Sequence, residues 1–269
     1  ERPNIGRYGR DFSAETGVRA EETDAYDLQG ASVSASLSQP FNEQFTLSAG
    51  TTLDATRSTD YELRAQGEDD YVEQVTLSFP LGATYNTVKA PLDPQAGNRV
   101  SLGVEPGISF GDGEASYTRI TSSASTYRKI SDRLVAAVRA EAGTFLGDEG
   151  VPVDRKFFAG GGGAVRGFEY QSLSPTDSDG NIIGGDAMFA ASLELRWRKS
   201  ERWGYVAFVD SGYAADSIDE AFGEMRTSFG LGVRFYPGFG PVRFDIATPL
   251  DRRDGEDPVQ IYVSIGQSF

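Results

Sequence analysis

The chain has 269 residues, including 32 glycines and 12 prolines, but neither cysteine nor histidine. The lack of cysteine excludes a disulfide-stapled domain and a thiolate zinc site, and the lack of histidine removes the usual general base. A formal net charge of −15 argues against a nucleic-acid partner. The sequence contains no apolar run of about 18 residues or more, so no transmembrane helix is predicted. The start at Glu1 rather than Met indicates a mature fragment of a longer chain.

The predicted elements are strands, because apolar and polar side chains alternate with a period of two rather than 3.6. About twelve such segments are separated by turn residues. In chain order they lie at 13–24, 29–38, 44–57, 71–86, 98–109, 114–127, 131–146, 184–199, 202–214, 224–236, 240–250 and 258–269. The sequence therefore predicts an all-β protein of antiparallel strands.

The last segment shows the alternation most clearly. One face takes bulky apolar groups, namely Val259, Ile261, Val263, Ile265 and Phe269. The other face takes mostly small or polar groups, namely Gln260, Tyr262, Ser264, Gly266 and Ser268. A water-soluble sandwich would alternate in the same way, with the apolar row facing inward. Long segments and charges in the middle of the polar face favour a transmembrane β-barrel instead, because a tilted strand must cross the bilayer and a wet interior accepts charge.

The connections between the segments alternate in length, as short periplasmic turns and long extracellular loops do in outer-membrane barrels. The turn at 199–202 is short and the connections 58–70 and 147–183 are long, whereas 87–97 is unusually long for the short set. Trp197 and Trp203 bracket the turn at 199–202, which predicts that both lie near one membrane interface in an aromatic girdle. The alternative is that the two rings only pack within a hairpin.

The longest connection contains a glycine-rich segment, FFAGGGGAVRGFEY, from Phe157 to Tyr170. A phosphate-binding loop would continue into Gly-Lys-Ser/Thr and a helix, and neither follows. A merely flexible surface loop would not explain an arginine and several aromatic residues beside the glycines. The segment is therefore the candidate functional site.

At these residues the chain resembles the BamA/TamA superfamily of outer-membrane insertases and two-partner secretion pores. In that family an extracellular loop folds back into the barrel and carries a Val-Arg-Gly-Phe or Val-Arg-Gly-Tyr motif, which is matched here by Val165, Arg166, Gly167 and Phe168. The longer string RKFFAGGGGAVRGFEYQSLSP is more similar to TamA than to BamA. Further matches cover Phe208 to Gly212, Gly238 to Asp245 and Phe269, so that the resemblance extends over about residues 71–269.

The motif arginine needs carboxylate partners inside a barrel, because a guanidinium does not lose its proton. Glu194 and Asp210 lie on the polar faces of the two strands that follow the loop. The resemblance implies that Arg166 pairs with these acids, and a bidentate, charge-assisted pair would hold the loop inside. The alternative is that both acids solvate the interior or pair with Arg196 and Arg234.

The resemblance also assigns a role to the end of the chain. Alternating apolar residues that include Val263 and Ile265 and end in Phe269 are similar to the C-terminal signal by which outer-membrane barrels are recognised for assembly. The family resemblance implies that the last strand pairs weakly with the first and leaves a lateral seam. An edge strand with unpaired backbone groups can template an incoming strand without any covalent step.

The predicted function is the insertion of autotransporters or other outer-membrane proteins by a translocation and assembly barrel in the bacterial outer membrane. The implied partners are outer-membrane lipid, unfolded client proteins and an inner-membrane-anchored protein of the TamB type, with no cofactor, metal or catalytic residue. The alternatives are a two-partner secretion pore of the same superfamily and a passive diffusion porin. An enzyme that used Glu194 and Asp210 would lack the serine–histidine pair of a lipase or protease.

One departure from the family pattern concerns the number of strands. The family barrel has about 16, with the motif loop between the eleventh and twelfth, whereas about seven are predicted before the loop here and about five after it. Residues 1–269 would then form the C-terminal part of the barrel domain, without its first strands and the periplasmic repeat domains.

Overall fold

The computed structural model describes residue 6 and residues 9–59, 71–147, 150–237 and 240–269. Most of the predicted connection 58–70 lies outside these residues, as do residues 148–149 of the connection 147–183. The first two residues of the stretch from Gly238 to Asp245 also lie outside them.

The described residues form thirteen β-strands, a 3₁₀ turn at Val153–Arg155 and a short helix, α1 (Ile218–Gly223). No helix in this part of the chain has the length and hydropathy to cross a membrane. The strands are β1 (Asp11–Glu22), β2 (Asp27–Pro40), β3 (Phe45–Thr59), β4 (Tyr71–Ser78), β5 (Leu81–Asn86), β6 (Gly97–Gly111), β7 (Ala115–Ser131), β8 (Leu134–Gly147), β9 (Ala187–Arg198), β10 (Trp203–Ala215), β11 (Arg226–Phe235), β12 (Val242–Pro249) and β13 (Gln260–Ile265).

All thirteen strands belong to one antiparallel sheet, which runs in chain order from β1 at one edge to β13 at the other. Only β4 and β5 share a place in this order, because both lie between β3 and β6. The prediction of an all-β antiparallel architecture is confirmed, and eleven of the twelve predicted segments each correspond to a single strand.

The predicted segment 71–86 is divided into two strands by a pair of prolines. The register is the same on both sides of the break, with Ser78 opposite Gly107 and Leu81 opposite Val104. Between these pairs lie Pro80 on one strand and Pro106 on the next. A proline has no amide hydrogen to give to a ladder, so the regular pairing is interrupted although the direction of the strand continues.

Side chains alternate between the two faces of the sheet as predicted. Leu195, Leu231 and Ile246 point outward and are 45%, 52% and 43% exposed. Glu194 and Asp245 point inward and are completely buried. The alternative of a water-soluble sandwich is wrong for this chain, because its apolar row would be the buried one.

Both tryptophans lie on the outer face beside the turn at 199–202, and each is 47% exposed. They also pack across strands, Trp197 on Tyr205 with ring centroids 5.8 Å apart and Trp203 on Phe235 with centroids 5.0 Å apart. An aromatic girdle and hairpin packing are therefore compatible, because each tryptophan packs on an aromatic ring of a neighbouring strand while it stays on the outer face.

The concave side of the sheet encloses the connection between β8 and β9, residues 150–186, here called the interior loop. Its apolar side chains form a buried cluster with small residues of β9 and β10, and the cluster comprises Phe157, Ala159, Val165, Phe168, Leu173, Ala190 and Ala214. The inner face of the sheet is mostly polar, so the loop supplies apolar packing that the sheet does not provide.

The last strand is shorter than predicted, since β13 ends at Ile265 rather than at Phe269. Gly266 adopts φ +93° and turns the chain inward. Val263 and Ile265 remain on the outer face, 68% and 67% exposed, whereas the ring of Phe269 lies inside, 6.2 Å from that of Tyr127. The prediction that all three residues share one face is therefore wrong for Phe269, because the glycine turn ends the alternation.

Candidate functional site

The interior loop brings Arg166 into the wall formed by β9 to β12, where its side chain is only 2% exposed. Its Nε lies 2.7 Å from Asp210 Oδ2 and its Nη2 lies 2.9 Å from Asp210 Oδ1, which is a bidentate pair. Its Nη1 lies 2.7 Å from Glu194 Oε1. The structure thus brings together the three charged residues that the sequence singled out, in the geometry that is strongest for an arginine and carboxylates.

A third acid completes the arginine pocket, and the sequence reasoning missed it. Asp245 of β12 lies with its Oδ2 3.1 Å from Arg166 Nη1, and it also pairs with Arg234 of β11. The alternation along the predicted strand 240–250 already placed Asp245 on the polar face. Nothing in the sequence indicated that this strand curls close enough to the loop to contact it.

The alternative pairing of Glu194 also occurs in the structure. Arg196 Nε lies 2.7 Å from Glu194 Oε2, while Arg166 holds the other carboxylate oxygen. One carboxylate therefore bridges the loop arginine and a wall arginine. Such shared pairing satisfies a buried charge on both of its oxygens, which an isolated ion pair leaves incomplete.

Two glycines of β11 make the space that this arrangement needs. A Cβ on Gly230 would overlap the ring of Phe208, and a Cβ on Gly232 would overlap the carboxylate of Asp245. The Phe208 ring can therefore lie against the sheet, and the guanidinium carbon of Arg166 sits 3.4 Å from its centroid. The cation rests on an aromatic face while acids surround its edge, a combination favourable in a desolvated place.

The backbone of the motif is held as well as its side chains. The amide of Arg166 donates to Asp210 Oδ2 at 3.2 Å, and the hydroxyl of Ser228 donates to the carbonyl oxygen of Arg166. Gly167 adopts φ +97°, and a Cβ there would lie 2.7 Å from that of Ser228. Glycine is required at this position both by the left-handed backbone and by the close approach of β11.

The two apolar residues of the motif fill buried positions on either side of the arginine. Val165 is completely buried and Phe168 is 3% exposed, both within the cluster of the interior loop. The guanidinium carbon of Arg226 lies 5.1 Å from the centroid of Phe168. All four motif residues therefore contact the wall or its apolar packing, and the motif acts as one seated unit.

A second ionic anchor holds the beginning of the interior loop, and the sequence reasoning did not find it. Arg155 lies 2.9 Å from Asp54 of β3 and 3.2 Å from Glu105 of β6. Asp154 lies 2.7 Å from Arg19 of β1. The residue types are common surface charges in a loop, so only the curvature of the sheet reveals that they reach the wall opposite Arg166.

Apolar contacts reinforce this second anchor. Ala25 and Tyr26, between β1 and β2, form a buried cluster with Leu28 of β2. Three apolar residues of the interior loop pack against this cluster, namely Val153, Phe158 and Ile182. The rings of Tyr26 and Phe158 have centroids 5.9 Å apart. The loop therefore spans the interior from the β1–β6 wall to the β9–β12 wall.

The predicted C-terminal signal is divided by the turn at Gly266. Val263 and Ile265 lie on the outer face, while Phe269 reaches Arg196, whose guanidinium carbon is 5.0 Å from the ring centroid. Arg196 Nη2 also donates to the carbonyl oxygen of Phe269 at 3.2 Å. The end of the chain therefore packs against a wall residue that belongs to the same charge network as Arg166.

The charged side chains of this site are paired with one another. Glu194, Asp210 and Asp245 are each engaged by arginines, so none of them is free to act as a general base. Among the described residues, no group of three acids is placed to hold a metal ion. What the arrangement provides is a set of buried charge pairs that hold a loop in one position.

Comparisons with known proteins agree with this architecture. The model of the Omp85 superfamily domain matches residues 2–269. Among curated proteins, the outer membrane protein assembly factor BamA of Nitratidesulfovibrio vulgaris (strain Hildenborough) is 35% identical over 152 residues, which represent 53% of this chain and 19% of that protein. The match thus spans about a fifth of the relative's length.

Two solved structures share the fold at low sequence identity. BamA from Haemophilus ducreyi lacking POTRA domains 1–3 has a TM-score of 0.76 and 19% identity, covering 94% of this chain and 58% of that chain. CdiB from Acinetobacter baumannii has a TM-score of 0.61 and 15% identity, covering 95% of this chain and 47% of that chain. The described architecture thus recurs within longer chains.

Proposed function

Because the chain belongs to the Omp85 superfamily, and so to the β-barrels of the bacterial outer membrane, we propose that it helps other outer-membrane proteins to insert into the bilayer. In this proposal a strand of the client pairs with the edge of β13, here called the seam. Hydrogen bonds form between backbones, and no covalent bond changes.

The observation that carries the proposal is the pairing of β13. This strand has 6 residues and pairs with β12, and no described strand pairs with its other edge. By contrast β7, in the middle of the sheet, has 17 residues and partners on both sides. A ladder of six residues holds β13 with few backbone hydrogen bonds, and another strand can add to such an edge.

The position of the interior loop favours insertion at the seam over passage through the middle. Arg155 and Arg166 fasten the loop to opposite walls, so an unfolded chain would have to displace both anchors to pass. Removing one partner of a buried ion pair lowers the stability of the folded protein strongly, typically by about 3–5 kcal/mol. A two-partner secretion pore of the same superfamily remains the second candidate.

The similarity of the motif string between Arg155 and Pro175 to TamA supports a proposal for the clients and the partner. We propose unfolded autotransporters or other outer-membrane proteins as clients, and an inner-membrane-anchored protein of the TamB type as partner. We also propose that residues 1–269 represent the C-terminal part of a larger barrel domain of about 16 strands. Capture of the TamB-type protein by the full-length protein in detergent extracts would support the partner assignment.

Replacing Arg166 by Ala in the full-length protein tests the role of the seated loop. The variant should insert into lipid vesicles as a barrel, but its interior loop should become sensitive to protease and client insertion should fall several-fold, because three buried acids lose their common cation. Arg57→Ala is the matched control, since Arg57 faces Glu73 at 3.7 Å with both side chains exposed. Unchanged loop protection together with unchanged client insertion would contradict the proposal.

Cross-linking the interior loop to the wall distinguishes client insertion at the seam from transport through a pore. The chain has no cysteine, so Arg139→Cys and Gly163→Cys provide two thiols that a short bis(methanethiosulfonate) reagent can join, because each thiolate displaces methanesulfinate and forms a disulfide. The two positions are close, since Arg139 Nη1 lies 3.3 Å from the carbonyl oxygen of Gly163. A protein that works at the seam should keep client insertion after cross-linking. Loss of transport after cross-linking would favour the secretion pore if transport returns when a reductant cleaves the cross-link. Steady ion conductance without client insertion would favour a porin.

A further inference from the structure

Tyr262 is the one aromatic residue on the inner face of β13, and its hydroxyl joins two backbone groups of the motif. The amide of Gly167 donates to Tyr262 Oη at 2.9 Å, and Tyr262 Oη donates to the carbonyl oxygen of Phe168 at 3.0 Å. A single hydroxyl therefore uses both its acceptor and its donor on the backbone of the interior loop.

The ring of Tyr262 is enclosed by the loop and by the neighbouring wall. A Cβ on Gly162 would lie 2.9 Å from Tyr262 Cδ1, so the glycine allows the loop backbone to approach the ring. On its other side the ring packs against the cluster of Val206, Phe208 and Ala247. Phe208 in turn carries the guanidinium of Arg166, so the tyrosine and the arginine share one packed unit.

The other inner-face residues of β13 provide no comparable link to the loop. Gln260 donates to Asp257, within the connection that precedes the strand, at 3.3 Å. Arg166 reaches β9, β10 and β12, but its described contacts do not include β13. Among the hydrogen bonds of the described residues, those of Tyr262 are therefore the connection between the motif and the last strand.

From this geometry we propose that Tyr262 is a positioning residue that couples the seating of the interior loop to the edge strand. When the loop is seated, β13 is held both by its ladder to β12 and by the tyrosine hydroxyl. When the motif leaves its place, β13 keeps its six-residue ladder and the contacts of the residues that follow it, but it loses its hydrogen bonds to the loop. Its edge then becomes easier to separate and to pair with an incoming strand. This inference rests on the proposed function at the seam, but its structural part can be measured without a client.

Tyr262→Phe in the full-length protein in lipid nanodiscs tests the coupling, because it removes the hydroxyl and keeps the ring. Amide hydrogen exchange should become about 2- to 10-fold faster in residues 260–265 and in the motif, as expected for an ordinary hydrogen bond. Exchange in β7 and β8 should not change, whereas a general loss of stability would raise it there too. Tyr205→Phe is the matched control, since Tyr205 is exposed on the outer face.

A double variant shows whether the loop and the strand act through this hydroxyl. In the wild-type background, Arg166→Ala should accelerate amide hydrogen exchange in β13. In the Tyr262→Phe background, Arg166→Ala should accelerate it little further, because the hydroxyl that connects the loop to β13 is already missing. Unchanged exchange of β13 in Tyr262→Phe, or full additivity in the double variant, would overturn the coupling. Faster exchange with unchanged client insertion would retain the coupling and refute the proposed function at the seam.

Discussion

At the scale of single residues, the site depends on glycines that leave space as much as on the charged side chains that use it. Arg166 is surrounded by Glu194, Asp210 and Asp245, and an unpaired charge in that place would be strongly unfavourable. Its flat guanidinium fits only because the ring of Phe208 lies close to the sheet at Gly230. A glycine in the middle of a strand normally weakens it, so its use here points to a requirement for space.

Gly230→Ala tests this requirement. The added methyl group would overlap the Phe208 ring and push it, with the guanidinium above it, out of position. We expect a loss of about 1–3 kcal/mol in the free energy of unfolding, as for other overpacked interiors, together with protease cleavage in the interior loop. The measurement is urea-induced unfolding in lipid vesicles.

Gly163→Ala is the control for this substitution. Gly163 lies in the same loop, no atom lies within 4 Å of its would-be Cβ, and its φ is not in the left-handed region. The control should unfold like the parent protein. Equal effects of the two substitutions would refute the explanation by space at Gly230.

At the scale of elements, long connections are fixed to the inner or end surfaces of the sheet by arginines. The interior loop has one anchor at Arg155 and another at Arg166. The connection 250–259 is held in the same manner, because Arg226 of β11 lies 2.7 Å from Asp251 and 3.0 Å from Glu256. Since Arg226 also faces Phe168, the two connections meet beside the motif.

The connection 250–259 should detach in acid. The hydrogen bond from Arg226 holds the pKa of Glu256 below its ordinary value of 4.5. A carboxylate with a lowered pKa stabilises the folded arrangement fully above pH 4.5, and this contribution disappears as the pH falls through the lower folded-state pKa. We expect a fluorophore on Asp254→Cys to gain mobility in that range, measured by its anisotropy.

Glu256→Gln provides the control for the acid transition. A glutamine carries no titrating proton, so the dye on the 250–259 connection should then show no transition near the pKa of Glu256. A transition that persists unchanged in this variant would assign the detachment to another group.

At the scale of the whole molecule, the sheet has an apolar outer face and a charged inner face. Leu195, Leu231 and Ile246 are about half exposed, while Glu194 and Asp245 are buried between the sheet and the loop. In water this distribution would be unfavourable, since roughly 25 cal/mol is lost for each Å² of apolar surface left exposed. In a bilayer it is favourable, because lipid covers the outer face and the interior retains the charges.

The two tryptophans report the position of the barrel in the membrane. Trp197 and Trp203 lie on the outer face at the end that carries the short turns, so each should contact lipid headgroups. We expect a quencher attached at headgroup depth to reduce their fluorescence more than one at the bilayer centre. Trp197→Phe and Trp203→Phe separate the two signals, and stronger quenching from the centre would contradict this placement.

The alternation of side chains determined much of the fold and part of the site. A period of two is a local property, so the strand segments, the outward apolar row and the inward positions of Glu194 and Asp210 all followed from the sequence. The family resemblance implied that the arginine of the motif pairs with these two acids, which agrees with the need of a buried guanidinium for carboxylates.

Only the tertiary structure decided which distant residues meet. The contact of Arg155 with Asp54 joins positions 101 residues apart, and that of Arg166 with Asp245 joins positions 79 residues apart. Both contacts depend on how far the sheet curls, which accumulates over many strands and leaves no local pattern. The inward turn at Gly266 could not be predicted for a related reason. Glycine adopts positive and negative φ almost equally well, so its tertiary surroundings decide which one occurs.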